Sequence, residues 1–538
     1  MRQDLKVLYY NWVPFDDDEN RGGGVSVYQK NLIEALVDHG IRVDFLSGGL
    51  FYSIESSKPE IRRTENAYDP DCRSFQLINS PVMSPGHSAF GWNDRLFEKG
   101  PALDVFHAFL REQGPYDIVH FNNVEGIPFT FLELKDEFPQ TLVVFSHHNY
   151  FPVCPQVNLW SHEQKHCDDF DHGRACVDCL VWKPPKVEIF AAQQLSTLMK
   201  SNGITASSPT FARAFSENGT LKLLADLSRQ RDQAFLREDR MPAKPGVENS
   251  FARRRRLAVA ILNRSIDMHL AVSERVARVL VSYGVNPARS YVSYIGTKHS
   301  QLLEKAKKRQ TLADPDVLSI AYLGYMRGDK GFFFLLDALE RLPAPIARKL
   351  RVKFAAKSNG DANISRRIND LRHRLFGVEH MDGYKHTDLP RLMADVDLGV
   401  VPVLWEDNLP QVALEIMSHG VPVLCADKGG AQELGGNPDF VFEAGSHEAF
   451  ADAIQRLQTG AVALSSFWDS AMKLRSMQDH LTELFGLYEA GLARIATAKA
   501  GDAPPLAEAV STASVLDDAE LDDLNHAHAL NLWMMQDA

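Results

Sequence analysis

The chain has 538 residues, 45% of them hydrophobic and 24% charged, with a formal charge of -12 at neutral pH. That length accommodates two or three domains, each with its own core. The acidic balance excludes a general nucleic-acid binder, whose footprint is basic, and no run approaches the roughly eighteen apolar residues that span a bilayer.

In chain order, MRQDLKVLYY enters a strand directly instead of a signal peptide, so a cytoplasmic location is expected. A glycine turn at Gly22, Gly23 and Gly24 follows, then a helix over 25–40 and a strand over 41–47, which together make a βαβ unit. YDIVHFNN (116–123) and LVVFSHHN (142–149) read as buried strands with polar ends, where open α/β sheets place ligands. A strand at 268–273, a helix at 274–284 and a strand at 291–296 complete a first domain over 1–298. A cysteine-rich loop at 150–182 and a helical insertion of low apolar content at 217–255 interrupt it. The basic run Arg253–Arg256, with Arg229, Arg231, Arg237 and Arg240 nearby, reads either as solvated helix faces or as a peripheral contact with anionic lipid.

The second half repeats the style from SIAYLGY (319–325) onward, with strands and helices in strict alternation, so a second parallel sheet covered on both faces is expected over 299–465. Its most informative stretch is WEDNLPQVALEIMSHGVPVLCADKGGAQEL (405–434). Asp407 and Glu415 stand eight residues apart around a helix start. Pro410 suits the first helical position, and Asp407 or Asn408 is expected to cap the free amides. An anionic group fits such an end. VPVLCA then reads as a buried strand, followed by Gly429, Gly430 and Glu433. In GYMRGDKG, between a strand and a helix, Arg327 and Lys330 are placed to reach a pyrophosphate. Asp395 and Asp397, in ADVDLGV, read as structural acids at a strand entry. From Ser466 to Ala500 one long helical stretch is expected, and 501–538 form an acidic tail.

The segment from Asp407 to Glu433 resembles the Glu-x7-Glu region of retaining GT-B glycosyltransferases of the family 4 (group 1) type, with Asp407 where the first Glu is usual. Glu406 takes that place only if the loop register shifts by one. The resemblance implies two Rossmann-like domains facing a central cleft, across roughly Lys6 to Ala498. It implies that Asp407 contacts donor-sugar hydroxyls, that Glu415 bonds the nucleotide ribose and that Asn408, Leu409 and Pro410 line the donor site. Lys330 and Gly331 match the family's G-R-x-x-x-x-K-G, while Tyr325 holds the arginine position and Arg327 comes two residues later. Gly23 and Gly24 are implied to approach the donor phosphate. His148 matches the cleft histidine, and His120, Asn122 and Asn149 stand on the acceptor side, with a satisfied core histidine as the other reading of His120. Departure and attack on one face need no protein nucleophile, and two cations with a helix end replace a catalytic metal. No nucleophile elbow stands out.

Cys154, Cys167, Cys176 and Cys179 follow a C-x12-C-x8-C-x2-C spacing, with His162, His166 and His172 among them. In a cytoplasmic chain this reads first as a structural zinc site and otherwise as free thiols or a redox loop. Cys72 and Cys425 read as core. The function expected is sugar transfer from a nucleotide-sugar donor to a glycan or lipid-linked acceptor in surface polysaccharide or glycoconjugate assembly. A catalytically weak nucleotide-sugar-binding scaffold is the alternative. A dinucleotide oxidoreductase is disfavoured because neither half shows G-x-G-x-x-G.

Overall fold

A computed structural model describes residues 5–19, 21–180, 186–215, 248–298, 300–358 and 360–500. Most of the 217–255 insertion, with Arg229, Arg231, Arg237 and Arg240, and the tail 501–538 lie outside the described residues.

The first half folds around eight strands: β1 (Val7–Tyr10), β2 (Val43–Phe51), β3 (Glu60–Thr64), β4 (Cys72–Ile78), β5 (Ile118–Phe121), β6 (Leu142–His147), β9 (Met268–Ala271) and β10 (Ser290–Val292). Their spatial order is β10-β9-β6-β5-β1-β2-β4-β3. Every residue of β1, β2, β5, β6 and β9 is buried, as expected for continuous apolar strands covered on both faces. Only the exposed edge strand β3 runs antiparallel, so this sheet is mixed and not wholly parallel. Strands β7 (Trp160–Ser161) and β8 (Lys165–His166) form a small hairpin inside the cysteine-rich loop.

The second half is a parallel six-stranded sheet of β11 (Leu318–Tyr325), β12 (Leu350–Lys357), β13 (Gly377–Met381), β14 (Leu398–Val401), β15 (Val423–Ala426) and β16 (Val441–Phe442), in the order β13-β12-β11-β14-β15-β16. The C-terminal stretch is broken where one helix was expected. A short helix Phe467–Ser470 is followed by an extended segment and then the helix Met477–Ala500, which packs on the helix Gly23–Asp38 and on β6. Its His480 bonds Tyr28 (2.7 Å), and Tyr488 bonds Tyr9 (3.1 Å) and His120 (2.6 Å). The two chain crossings between the halves run side by side, with Thr297 N donating to Arg475 O at 2.9 Å.

A polar brace also joins the halves. Arg275 forks onto Glu406 through two hydrogen bonds, and Ser273 donates to Asn408 O at 2.8 Å. Glu433 accepts from the amides of Glu274 (3.0 Å) and Arg275 (2.7 Å), at the start of the helix Glu274–Ser282, and from the Tyr294 hydroxyl (2.8 Å). Two glycines permit close approach, Gly430 between the halves and Gly429 within the second. A Cβ on Gly429 would stand 2.1 Å from Asp407 O, and one on Gly430 would stand 2.4 Å from Asn408 O and 2.7 Å from Ser273 Oγ.

Candidate functional site

The strand ends of the two sheets meet around a cavity of about 230 Å³. From the second half it is lined by Tyr322–Tyr325, Lys330, Val400–Val403, Trp405 and Asp407–Val412. From the first half come Gly24, Val25, Tyr28, His148, Val272 and Ile295.

Lys330 enters on the turn before the helix Phe332–Arg341. Gly331, at φ +73°, lets the turn pass Pro402, whose carbonyl oxygen would be 1.6 Å from a Cβ there. The Lys330 ammonium sits 4.8 Å above the centre of the Trp405 ring and donates to Asp407 Oδ2 at 2.6 Å. The pair is partly screened, with side-chain exposures of 27% and 10%, so it is both held and reachable.

The helix Gln411–Ser418 begins with Pro410 as its N-cap, one position before the place expected for it, and no side chain caps it. Asp407 is bonded to Lys330 instead, and Asn408 reaches across to His147 O at 3.3 Å. The uncapped helix end opens beside Pro410, Gln411 and Val412, which line the cavity. Gly24 approaches it from the other half, where a Cβ would stand 3.0 Å from Gln411 Cγ. Gly23, at φ +57°, starts the helix Gly23–Asp38.

Glu415 lies one turn along, outside the residues that line the cavity. It accepts from the Tyr384 hydroxyl at 2.9 Å and sits 3.5 Å from His386. Burial raises its pKa, opposed by those two neighbours. His148 is half-buried and lines the cavity, its ring 5.1 Å from that of Tyr28 and its Nε2 without a hydrogen-bond partner. Burial pushes its pKa down to about 3, which keeps it neutral at ordinary pH.

Several expected residues stand elsewhere. Arg327 is not among the cavity lining: its guanidinium forks onto Asp329 at 2.9 and 2.8 Å. His120 is a core residue, held between Tyr488 and Ser146 at 2.6 and 2.7 Å. Asn149 donates to Glu125 at 2.6 Å and accepts from Phe151 N at 3.0 Å, fixing the start of the cysteine-rich loop. Asn122 is fully buried, with both polar side-chain atoms unpartnered. Glu406 and Glu433 brace the two halves. Asp397 accepts from Ala313 N and Ser319 N, and Asp395 pairs with Lys353, as structural acids do. Of the basic run, Arg253 pairs with Asp94 and Arg256 with Glu248 at the surface, Arg255 lies over Phe170 and Tyr283, and Arg254 is buried. Sequence reasoning missed Tyr28, Trp405, Tyr384 and Arg275. Trp405 adjoins the motif, whereas nothing local marks the other three.

A family model described as glycosyl transferases group 1 matches residues 317–459, the span that holds Lys330, Asp407 and Glu415. The match lies wholly within the second half of the chain. No curated protein matches the chain. Among solved structures, HepE from Anabaena in complex with UDP is 13% identical with a TM-score of 0.50, over 90% of this chain and 100% of that one. A sucrose-phosphate synthase from Thermosynechococcus elongatus is 16% identical over 91% and 99%, at 0.49, and nothing rests on it. The first likeness establishes the fold, GT-B, and nothing finer. Among the described residues, no helix is long and apolar enough to cross a membrane.

Proposed function

We propose that the protein is a retaining glycosyltransferase that moves a sugar from a nucleoside diphosphate donor to a glycan or lipid-linked acceptor, in surface polysaccharide or related glycoconjugate assembly. One observation carries this reading: Lys330 and the uncapped end of the helix Gln411–Ser418 line the same hollow as Gly24 and His148 of the opposite domain.

Breaking a sugar to phosphate bond requires stabilising the charge that collects on the departing diphosphate. Lys330 and the helix amides would supply that stabilisation, with the Gly24 loop admitting the phosphate closely. Asp407 steadies Lys330 before the donor arrives and then accepts from the sugar's hydroxyls, with a shorter reach than Glu. Glu415, oriented by Tyr384 and His386, accepts from the ribose. The bond between the anomeric carbon and the phosphate oxygen breaks while the acceptor oxygen bonds that carbon from the same face. The acceptor's proton passes to the departing phosphate. This route uses no protein nucleophile and no catalytic metal.

A binding scaffold is the second reading, favoured by the engagement of Arg327 with Asp329 and by Tyr325 at the usual arginine position. Binding and turnover are therefore measured together. HepE, which shares the fold, is solved with UDP, so uridine diphosphate sugars come first, then GDP, ADP and dTDP sugars. A true donor at a hundredfold excess over its Kd stabilises the fold by about 2.7 kcal/mol in a thermal-shift screen. Binding without hydrolysis or transfer identifies the scaffold, and binding of none sinks both readings.

A further inference from the structure

The arginine run and the cysteine-rich loop meet in one place. The helix Ser250–Ser265 drives Arg254 into the protein, where it is only 1% exposed. Its guanidinium donates to Pro152 O at 3.1 Å and to Phe151 O, and lies 4.8 and 5.6 Å from the ring centres of Phe151 and Phe129. Arg255 beside it donates to Val153 O at 2.8 Å and lies 3.5 Å from the Phe170 ring centre. Among the described residues, neither forms an ion pair with a carboxylate. Carbonyls and rings share the hydrogen bonds but leave both cations without counter-charge, which is costly for the buried Arg254 and less so for the half-buried Arg255. Both guanidiniums thus hold the backbone of residues 151–153, immediately before Cys154.

Cys154, Cys167, Cys176 and Cys179 come from separate turns of one loop. All four are unoxidised, and Cys154, Cys176 and Cys179 are buried. Cys179 N bonds Cys176 O in the turn that the C-x2-C spacing makes, and both side chains pack in one buried cluster with Phe90 and with Phe251 of the helix Ser250–Ser265. The same loop holds six non-glycine residues at positive φ, from Val157 to His172, against one elsewhere among the described residues. Backbone of that kind persists only where its surroundings over-determine it. As placed, no three of the four sulfurs lie within 4.8 Å of each other, so metal binding requires the loop to draw them closer.

We infer that Cys154, Cys167, Cys176 and Cys179 bind one zinc ion, with Arg254 and Arg255 as its counter-cations. Four thiols release four protons, and four thiolates around one dication carry a net charge of about minus two, matching the two arginines. The ion pins the loop that lies beside the Glu406–Arg275 brace, where His166 Nε2 stands 3.9 Å from Glu406. This inference is independent of the donor reading.

The full-length chain, dialysed against a weak chelator, is expected to retain about one zinc per chain, tetrahedrally bound. Cobalt(II) exchanged into it should give the strong visible bands of a tetrahedral thiolate site. Cys176→Ser should lose the zinc while Cys72→Ser, in β4, keeps it. Because the first variant can fail for want of folding, Arg255→Gln supplies a second reading. Its apparent zinc affinity, from chelator competition, should drop by about 10- to 100-fold. Wild-type zinc below about one-tenth per chain, or a disulfide mass between any two of the four, overturns the site. Unchanged zinc affinity in both Arg255→Gln and Arg254→Gln overturns the role of the arginines.

Discussion

The second half lines the cleft from two short neighbourhoods, 322–330 and 400–412, whereas the first half delivers Gly24, Tyr28, His148, Val272 and Ile295 from separate elements far apart in the chain. On the second-half side each group sits at the end of a parallel strand or on the loop and helix start that follow it, so its position follows from local geometry. On the opposite side, position depends on long-range packing: Tyr28 is set by His480, 452 residues away. Substitutions in the second half should therefore strike chemistry with little cost to folding, and those behind the cleft in the first half should strike folding with little direct effect on chemistry.

The sharpest way to break that contrast is Lys330→Ala. Loss of a cation aimed at the departing diphosphate should lower kcat by about 10²- to 10³-fold, with an unchanged circular dichroism spectrum. Wild-type turnover would remove the donor assignment. Glu415→Gln should weaken donor binding by about 10- to 100-fold, read as KM for the nucleotide sugar, since a charged hydrogen bond is replaced by a neutral one.

In the first half the expected response is to pH. Burial depresses His269 to about 3 and His480 to about 4, below the ordinary 6.5. The unfolded chain thus takes up their protons first, so this stability is complete above pH 6.5 and falls as pH drops toward 4. Each histidine contributes a loss of about 1.4 kcal/mol per pH unit in that window, measured by denaturant midpoints. Arg289 presses on His269 in the same sense, and His147 beside it is also held neutral; at His480 a hydrogen bond with the Tyr294 backbone opposes burial while Arg475 supports it. His120→Phe should cost about 1–3 kcal/mol by stranding Tyr488 and Ser146, and should leave kcat near wild type at low temperature. A large kcat loss without a stability loss would return His120 to the acceptor side. The smallest effect is expected for Arg327→Ala, less than about threefold in kcat/KM, because Asp329 already holds that exposed guanidinium.

Parallel strands were legible wherever four or more apolar residues run together, as in β1, β6 and β15, because burial on both faces leaves an unbroken signature. The antiparallel edge strand β3 carries EIRRT, whose polar, half-exposed side chains give no such run. Lys330, Asp407 and the helix start were readable because spacing along a single loop fixes them. Arg327 misled because a basic residue in a glycine-flanked turn looks the same whether it faces a ligand or a neighbouring acid. The bracing roles of Glu433 and Glu406 were not legible for a related reason: their partners, Arg275 and the amides of a helix more than a hundred residues earlier, have no local mark. The capping expected at Pro410 failed because Asp407 and Asn408 each find a partner elsewhere.

The last described helix belongs by sequence to the second half and by contact to the first. Leu481, Leu484, Phe485, Leu487 and Tyr488 are all buried, and a Cβ on Gly491 would be 2.7 Å from Leu142. A gene fragment cut at residue 299 to yield the second half alone would carry this greasy stripe into solvent, away from the first sheet that covers it. The complementary fragment would lose the plug behind Tyr9 and Tyr28. Neither piece is a sound starting material, and any shuffling of donor specificity by swapping halves must trade the closing helix together with the first sheet it seals.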